Sequence, residues 1–473
     1  MKSGIRGFLL ASAALMAFSA AAFAQTTDDA NAKLEALQRA VADLNSQVQQ
    51  LKKAQANADS SAALGNSASQ YAKQPKVSLD NGRLQFASAD GRFTAALRSL
   101  VQFDYGYFSQ GKNPSSVDLN SGSNFRRAQI GLVGTAWSDW SYNFTYDFGG
   151  NGVEKNGYIY YAYIEYAGFA PFHARIGALT PFLGIEDSTG SGDLLFLERA
   201  SAQDVSRNIA GGPGREGIDL FAQGDNYLVS VSYTGKKTTD AATFDAQQAL
   251  VSRGSWLAVN GSKFKWLLDA GATDVFALAD AAANTNSSNF ISFSNGPELA
   301  VDSTKTVNTG NIDAKKVDQY QFESALEFDG LYAQGGWDHY HVTRRTNLPN
   351  PSFSGWYAEG AYSLTGETHP YDPVTASFRN LVPTNPLGQG GLGAFEVTGR
   401  YSDIDLDYLP LVSTALGGVP GGKQNVWTLG LNWYPTNGLK FQFNYYNLQV
   451  NHVNAPTTDI SANAFGIRSQ ISF

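Results

Sequence analysis

Positively charged side chains recur within segments whose alternate residues are apolar. Successive side chains of a strand point to opposite faces, so the parity of each Arg or Lys assigns it to the polar or the apolar face. Guanidinium and ammonium groups that line an aqueous pore attract anions and replace part of their hydration shell. The cations with the parity of the polar face are Arg98, Arg127, Arg175, Lys263, Lys265, Arg400, Lys440 and Arg468.

Three further arginines are candidate anion-binding residues. Arg126 has the parity of the apolar residues, so it faces inward only if the strand end bulges or lies above the lipid. Arg199 and Arg215 lie in the long polar loop 181–215, together with Arg207 and acidic residues that include Glu186, Asp187, Asp193 and Glu198. If such a loop folded inside a channel, it would narrow the pore and set its electric field.

Acidic residues share the inward face, so the predicted wall is mixed in sign. Cations that face acids across a pore create a transverse electric field, and such a pore passes small polar solutes with mild selectivity. Alternatively, each single charge only keeps the wall of a water-filled pore hydrated. This mixture argues against strong anion selectivity. The inward acids are Asp104, Asp147, Glu165, Asp269, Glu323, Glu327, Glu359 and Glu396.

The composition offers little for catalysis. The chain has no Cys and five His, which excludes thiol catalysis, Cys-bound zinc and iron–sulfur centres. His339 and His341 share a face with Trp337, and no Gly-x-Ser-x-Gly turn marks a nucleophile that could converge with them. The sequence therefore predicts no enzyme, no catalytic residue, no metal site and no cofactor.

The elements that carry these charges alternate with a period of two. From Trp140 to Phe148, for example, every second residue is aromatic and the others are polar. Sixteen such segments are predicted to be strands: 92–108, 123–135, 139–149, 157–168, 172–180, 216–223, 226–234, 249–260, 263–275, 317–328, 331–343, 353–365, 393–403, 424–434, 439–451 and 459–473.

These segments predict an all-β fold, a 16-stranded antiparallel transmembrane β-barrel preceded by a short N-terminal coiled-coil helix. An even strand count, an apolar outer face and short turns that alternate with long loops are typical of outer-membrane barrels. No run of about 18 apolar residues follows the N-terminus. Without helical spans, only a closed barrel satisfies every backbone polar group in lipid. A soluble β-sandwich would instead carry polar residues on the outer face.

One connection breaks the alternation of short turns and long loops. Residues 366–392 fall on the short-turn side, yet they span 27 residues and contain four prolines. Either a strand is miscounted there or this segment folds into the lumen.

The N-terminal region is predicted to hold three pieces before the barrel domain 83–473. Residues 1–24 have the basic start, apolar core and Ala-x-Ala end of a signal peptide. Residues 25–56 carry apolar residues in a seam of alternating three- and four-residue spacing, which predicts a periplasmic coiled coil with sister chains, or else a helix lying on its own domain. Residues 57–82 are Ser-, Ala- and Gln-rich and are predicted to be a linker.

Net charge restricts the partners. Removing Lys2 and Arg6 with the signal peptide leaves 32 basic against 42 acidic residues, a net charge of −10. Nucleic-acid binding needs a basic surface, so nucleic acid is excluded as a partner.

Several motifs resemble the phosphate-selective porin O and P family, over residues 83–473. The resemblance implies a sixteen-stranded trimeric porin whose inward-folding segments constrict the pore, with an arginine ladder down one wall and lysines near the constriction. The motifs are Phe125-Arg126-Arg127-Ala128, Gly134-Thr135, Asp139-Trp140-Ser141-Tyr142, Ala162-Tyr163-Ile164-Glu165-Tyr166, Phe169-Ala170-Pro171-Phe172, Arg175-Ile176-Gly177, Phe196-Leu197-Glu198-Arg199, Leu364-Thr365-Gly366-Glu367 and Arg400-Tyr401-Ser402-Asp403-Ile404-Asp405-Leu406.

The resemblance carries over to individual arginines. It matches the pair Arg126 and Arg127, with Arg98 as a candidate rung before them, the strand arginine Arg175, and the loop arginines Arg199 and Arg215. Lys263 and Lys265 are candidates for the constriction lysines from parity alone. The sequence departs from the family pattern in 199–216, which has three arginines but no dense arginine run.

The leading functional hypothesis is a passive porin in the outer membrane of a Gram-negative bacterium. It would pass small hydrophilic solutes and favour anions such as phosphate. The alternative is a general, weakly selective porin whose coiled coil also tethers the outer membrane to the cell wall. The expected partners are small anions or other small hydrophilic solutes, outer-membrane lipid, and further copies of the chain in a homotrimer.

Overall fold

The computed structural model describes residues 38–53, 74–80, 82–111, 117–150, 157–240, 244–281 and 289–473. The chain divides into two compact units, Met1–Gln74 and Pro75–Phe473. The predicted signal peptide 1–24, the first turns of the predicted coiled coil and residues 57–73 of the predicted linker lie outside the described residues.

The described part of the first unit is helix α1, residues 38–53. Its seam residues are exposed in the single chain, with Leu44 64% and Leu51 68% accessible. In a single helix this apolar stripe stays in water and contributes little stabilisation, because hydrophobic stabilisation scales with the area buried. Among the described residues, no helix is long and apolar enough to span a membrane.

The second unit is built on sixteen long strands, β1 to β16. In chain order they are Thr94–Gln110, Gly122–Ala136, Trp140–Asp147, Tyr158–Phe169, Phe172–Leu179, Arg215–Gly224, Tyr227–Lys237, Gln248–Asn260, Phe264–Ala277, Lys316–Phe328, Leu331–Thr343, Ser352–Ser363, Ala394–Tyr408, Val419–Thr436, Leu439–Asn451 and Ile460–Ser472.

Each long strand pairs antiparallel with the next along the chain, and the last closes onto the first. In the β16–β1 pair, Ala462 lies opposite Gln110 and Ser472 opposite Leu100. Closure leaves no free edge in the ring, which is the condition for a sheet to span lipid. The predicted 16-stranded antiparallel barrel is confirmed.

The two faces of the barrel wall separate as the alternation predicts. Outward residues such as Phe144 and Leu429 are 52% and 62% accessible, whereas the inward Gln102 and Asp104 are fully buried. Apolar residues outward and polar residues inward suit lipid on one side and a polar interior on the other.

A short hairpin precedes the barrel. Strand Lys76–Asp80 pairs with Arg83–Ala87, which in turn pairs with the start of β1. It occupies the end of the predicted linker and the start of the predicted barrel domain. The dipeptide Asn81-Gly82 between the two strands is a two-residue turn signal in the sequence. The strands on either side of it are too short for their alternation of apolar and polar residues to be recognised.

Turns at one end of the barrel are tight. In the turn between β10 and β11, Asp329 and Gly330 have φ values of +51° and +87°. Both values lie in the left-handed region that a type I′ hairpin needs, and Asp and Gly tolerate that region better than other residues.

The exceptional connection at this end, 364–393, folds into the lumen. Arg253 on β8 donates 2.8 Å hydrogen bonds to the carbonyl oxygens of Thr375 and Ala376. The Asn380 side chain donates to the Gly192 carbonyl at 2.7 Å. The strand count was therefore right, and the second of the two alternatives, an inward-folding segment, is confirmed.

Candidate functional site

Two cavities lie along the barrel interior. The upper cavity, about 420 Å³, is bounded by β2, β4 and the loop residues 295–305. The lower cavity, about 620 Å³, reaches the tight-turn end at Gly438. Both cavities are lined by Tyr160, Arg199 and Arg207. These three side chains separate the cavities, and we call them the constriction.

Two of the three constriction residues lie on the loop 180–214 between β5 and β6, which we call the constriction loop. It contains two helices, α2 (Ile185–Ser188) and α3 (Ser201–Ile209). On α3, Gln203 donates to Asp338 at 2.9 Å and Ser206 donates to the same carboxylate at 2.6 Å. These bonds fix the helix to β11 and so determine where Arg207 projects.

Arg199 and Arg207 are held differently. The Arg199 guanidinium donates to the carbonyl oxygens of Glu186 at 3.0 Å and Thr189 at 2.7 Å. Arg207 Nε lies 2.9 Å from Asp187 Oδ1. Burial and the neighbouring Arg207 both lower the pKa of Arg199, but a guanidinium stays charged at neutral pH. Arg199 thus donates to backbone carbonyls, and the neighbouring charges of Asp187 and Glu186 partly offset its own.

Arg126 and Arg127 both point inward because Arg126 is the extra residue of a bulge in β2. Gln102 pairs with Arg127 and Phe103 with Phe125, which leaves Arg126 as the extra residue. A bulge re-aims one side chain without moving the rest of the strand. The bulge that an inward Arg126 requires is therefore present, and both arginines line the upper cavity.

Glu198 of the constriction loop joins these arginines to the wall. Arg126 donates two 2.7 Å hydrogen bonds to its carboxylate, and Arg468 donates one at 2.9 Å. Arg127 Nη2 lies 3.8 Å away. Burial opposes the charged form, but the three guanidiniums outweigh it and hold the pKa of Glu198 well below its usual range.

Other predicted site arginines act as braces. Arg400 pairs with Glu298 at 2.6 Å, and Arg468 pairs with Asp104 through two 2.7 Å hydrogen bonds. Arg215 is buried and donates to the Gly235 carbonyl at 3.0 Å. Each of the three side chains also joins the barrel wall to a loop, Arg215 through the Gly211 carbonyl, Arg400 through Glu298 and Arg468 through the Leu197 carbonyl.

Arg98 and Arg175 line the lower cavity. Arg175 pairs with Asp219, and its guanidinium carbon lies 5.0 Å from the Tyr163 ring centroid. The Arg98 guanidinium carbon lies 5.4 Å from the Tyr161 ring centroid. Both guanidiniums thus make cation–π contacts along the pore wall.

The two candidate lysines are not at the constriction. The Lys263 side chain is 75% accessible and lies 3.7 Å from Asp329 at a tight turn. Lys265 lies opposite Glu327 on the neighbouring strand. Neither of these two residues lines the upper or lower cavity as described. Parity carried no information on the height of these residues along the pore, and Lys263 precedes β9, in an exposed turn.

The inward acids are largely covered. Among the described residues, Asp147 is the one member of the eight inward acids that lines either cavity. Glu323, for example, accepts hydrogen bonds from Gln321 and Tyr357 beneath the constriction loop. Apart from Asp147, the acids that line the two cavities are therefore not the ones that strand parity identified.

The charges that do line the cavities favour anions in the lower one. Six arginines and three aspartates line the lower cavity, and six cations and five acids line the upper one. The lower set is Arg83, Arg98, Arg175, Arg199, Arg207 and Arg379 against Asp187, Asp193 and Asp372. The upper set is Arg126, Arg127, Arg199, Arg207, Lys237 and Lys305 against Asp147, Glu198, Asp204, Glu298 and Asp302.

Sequence reasoning missed Tyr160 and named Arg207 only as a loop charge. Tyr160 is an extra residue in β4, because Thr145 pairs with Tyr161 and Tyr146 with Ile159. A register shift of this kind leaves no mark in simple alternation.

Comparison with known proteins places the chain among porins. It is 27% identical over 412 residues to Porin O of Pseudomonas aeruginosa, covering 83% of this chain and 91% of that protein. An anion-selective porin from Comamonas acidovorans has a TM-score of 0.47 and 12% identity, with 80% of this chain and 100% of that chain covered. The trimer form of OmpT from Vibrio cholerae has a TM-score of 0.45 and 10% identity, with 80% and 99% covered.

The family comparison covers the whole barrel and none of helix α1. The family described as phosphate-selective porin O and P matches residues 93–473, from just before β1 to the last residue. The chain therefore belongs to the phosphate-selective porin O and P family of outer-membrane porins.

Proposed function

We propose that this outer-membrane porin passes small hydrophilic solutes by diffusion and favours anions, phosphate among them. The observation that carries the proposal is the separation of charges in the lumen. Most inward acids are buried beneath loops, whereas the guanidiniums of Arg199 and Arg207 stand between the two cavities. The positive charge is thus concentrated where every solute must pass.

The path offers an anion several weak sites in succession. From the tight-turn end these are Arg98, then Arg199 and Arg207, then Arg127 and Arg126. Conduction needs sites that bind well enough to admit an ion and weakly enough to release it. Partial neutralisation, such as that of Arg207 by Asp187, meets the second condition.

The ten predicted site residues therefore divide into three groups; they are Arg98, Arg126, Arg127, Arg175, Arg199, Arg215, Lys263, Lys265, Arg400 and Arg468. We assign direct contact with anions to Arg98, Arg126, Arg127, Arg175 and Arg199. We assign bracing of the loops to Arg215, Arg400 and Arg468. The positions of Lys263 and Lys265 support neither role.

Planar-bilayer recording of the purified porin tests the proposal. In a KCl gradient we expect the reversal potential to have the sign of an anion-selective pore. Phosphate added at constant chloride is expected to reduce the chloride current in a saturable way. A cation-leaning reversal potential with no phosphate block would instead support a general, weakly selective porin. The nearly equal numbers of cations and acids that line the upper cavity favour that alternative.

We propose further that the porin is a homotrimer with α1 in the periplasm, joined to its sister copies along the apolar seam. The exposed Leu44 and Leu51 support this, because the matching seam of a sister helix would bury them. Tethering to the cell wall would be an additional role of the same segment.

The absence of Cys from the chain allows a clean test of that seam. A Val48→Cys variant of the full-length porin, oxidised in the membrane, is expected to form disulfide-linked dimers on a non-reducing gel. Ser46→Cys lies off the seam on the same helix and is the matched control. Equal cross-linking at both positions, or none at Val48→Cys, would contradict the coiled coil.

A further inference from the structure

Four tyrosines on strand β4 form a continuous file of rings. The ring centroids of Tyr158 and Tyr160 lie 6.0 Å apart, those of Tyr160 and Tyr161 lie 4.7 Å apart, and those of Tyr161 and Tyr163 lie 5.8 Å apart. The five residue-to-residue steps from Tyr158 to Tyr163 span about 16 Å, so the file covers a substantial part of the pore length.

The file runs from one cavity to the other through the constriction. Tyr158 lines the upper cavity, Tyr160 lines both, and Tyr161 and Tyr163 line the lower one. The bulge at Tyr160 makes this possible, because it turns two consecutive rings inward where alternation would allow one.

Arginines accompany the lower part of the file. The Arg98 guanidinium lies over the Tyr161 ring and the Arg175 guanidinium over the Tyr163 ring, at 5.4 and 5.0 Å from the centroids. Each site therefore presents an aromatic surface next to a guanidinium, although Asp219 partly neutralises the guanidinium of Arg175. Such a pair matches a solute that carries its own ring and an oxyanion.

Tyrosines that face inward from other strands have a different environment. Tyr340, Tyr357 and Tyr446 are at most 1% accessible and belong to the packing between the loops and the wall. The tyrosines that line the two cavities all lie on β4. The four rings of the file line the cavities through which solutes move, and Tyr160 and Tyr161 also contact Ser191 and Thr180 of the constriction loop.

We propose that the tyrosine file makes this pore selective for small aromatic anions, that is, for aryl phosphates and aryl carboxylates over aliphatic anions of the same charge. The inference rests on the proposed anion-preferring porin and names a solute class for it. The anionic group contacts the arginines while the ring of the solute packs against successive tyrosines. An aliphatic ester of the same charge makes the first contact and lacks the second.

Block of the chloride current measures this selectivity. Phenyl phosphate and methyl phosphate carry the same phosphate group, so the ratio of their half-blocking concentrations isolates the contribution of the ring. We expect phenyl phosphate to block at a concentration about fivefold lower, the factor that about 1 kcal/mol of aromatic contact produces. A ratio near one would overturn the inference.

Four variants, one of them a matched control, test whether the effect comes from the file. Tyr161→Leu and Tyr163→Leu, which remove a ring but keep an apolar side chain, are expected to bring the ratio close to one. Tyr163→Phe keeps the ring and is expected to keep the ratio. Tyr105→Leu removes an outward, 49% accessible tyrosine and is the matched control. If Tyr161→Leu and Tyr105→Leu both kept the wild-type ratio, the file would not be its source.

The two proposals fail in different ways. If the wild-type pore were cation-leaning and unaffected by inorganic phosphate, the proposed function would fail, and the aromatic inference would fall with it. If phosphate and methyl phosphate blocked the pore and phenyl phosphate blocked no better, the anion-preferring porin would stand and the aromatic inference alone would be overturned.

Discussion

An Arg199→Gln variant is expected to lose most of the preference for anions while it still forms channels. Arg199 contributes a full positive charge to the constriction, and its donors go to the backbone carbonyls of Glu186 and Thr189. A Gln side chain can donate to such carbonyls but carries no charge. Two unit charges 4 Å apart interact by about 1 kcal/mol in water and about 4 kcal/mol at an effective dielectric constant of 20. We therefore expect the half-blocking phosphate concentration to rise about tenfold.

Bilayer recordings with a conservative and a matched variant complete this test. Arg199→Lys keeps the charge without the planar fork, and it is expected to retain the anion-selective reversal potential. Lys263→Gln removes the same charge at an exposed turn, where it is screened by solvent, and is expected to behave as wild type. An Arg199→Gln pore with unchanged reversal potential and phosphate block would show that the constriction does not control selectivity.

A Glu198→Gln variant is expected to lose the largest share of stability of any single polar substitution in the lumen. The substitution keeps the shape of the side chain but removes the negative charge that Arg126, Arg127 and Arg468 share. Removing one partner from a buried ion pair costs about 3–5 kcal/mol, because the remaining charge is left uncompensated. We expect the free energy of unfolding in lipid vesicles to fall by an amount in this range.

The unfolding measurement is made at neutral pH, and the pKa of Glu198 gives the reason. Three guanidiniums lower this pKa against the effect of burial. A carboxylate with a lowered folded-state pKa contributes its full stabilisation above its unfolded value, ordinarily 4.5, and loses it as the pH falls through the folded value. At neutral pH the difference between the wild-type porin and Glu198→Gln therefore includes the whole contribution of the charge.

Limited digestion with trypsin gives a local measure of the same change. The cleavage sites within loop 180–214 are Arg199 and Arg207, both buried in the folded porin. Glu198→Gln is expected to make them accessible, and Arg126→Gln added to it should restore part of the protection by removing one excess cation. Glu216→Gln is the control, because its 48% accessible side chain lies 3.8 Å from Lys236, and such pairs contribute about 1 kcal/mol or less. Equal protection of the loop in all three variants would contradict the bracing role of Glu198.

The separation of charges in the lumen connects these two predictions. Arg400 and Arg468 are inward cations, but Glu298 and Asp104 occupy them. Arg199, on the constriction loop, donates its hydrogen bonds to backbone carbonyls, and the acids Asp187 and Glu186 act on it only as neighbouring charges. Selectivity therefore depends less on the number of inward arginines than on whether each one is paired with an acid.

The sequence alone determined the barrel. Alternation is a local property, since neighbouring side chains of a strand point to opposite faces whatever the rest of the chain does. Sixteen strands, the apolar outer face and the polar inner face followed from it, as did the inward placement of Arg98 and Arg175. The prolines of 366–392 marked an unusual connection but did not decide between a miscounted strand and an inward fold.

Tertiary structure alone decided which inward charges a solute meets. The partners that neutralise them lie far away in the chain: Glu298 is 102 residues from Arg400, and Asp104 is 364 residues from Arg468. The bulges at Arg126 and Tyr160 depend on register with the neighbouring strand. Long-range contacts and register are set by how loops and strands pack in three dimensions, and the spacing of residues along one strand does not record them.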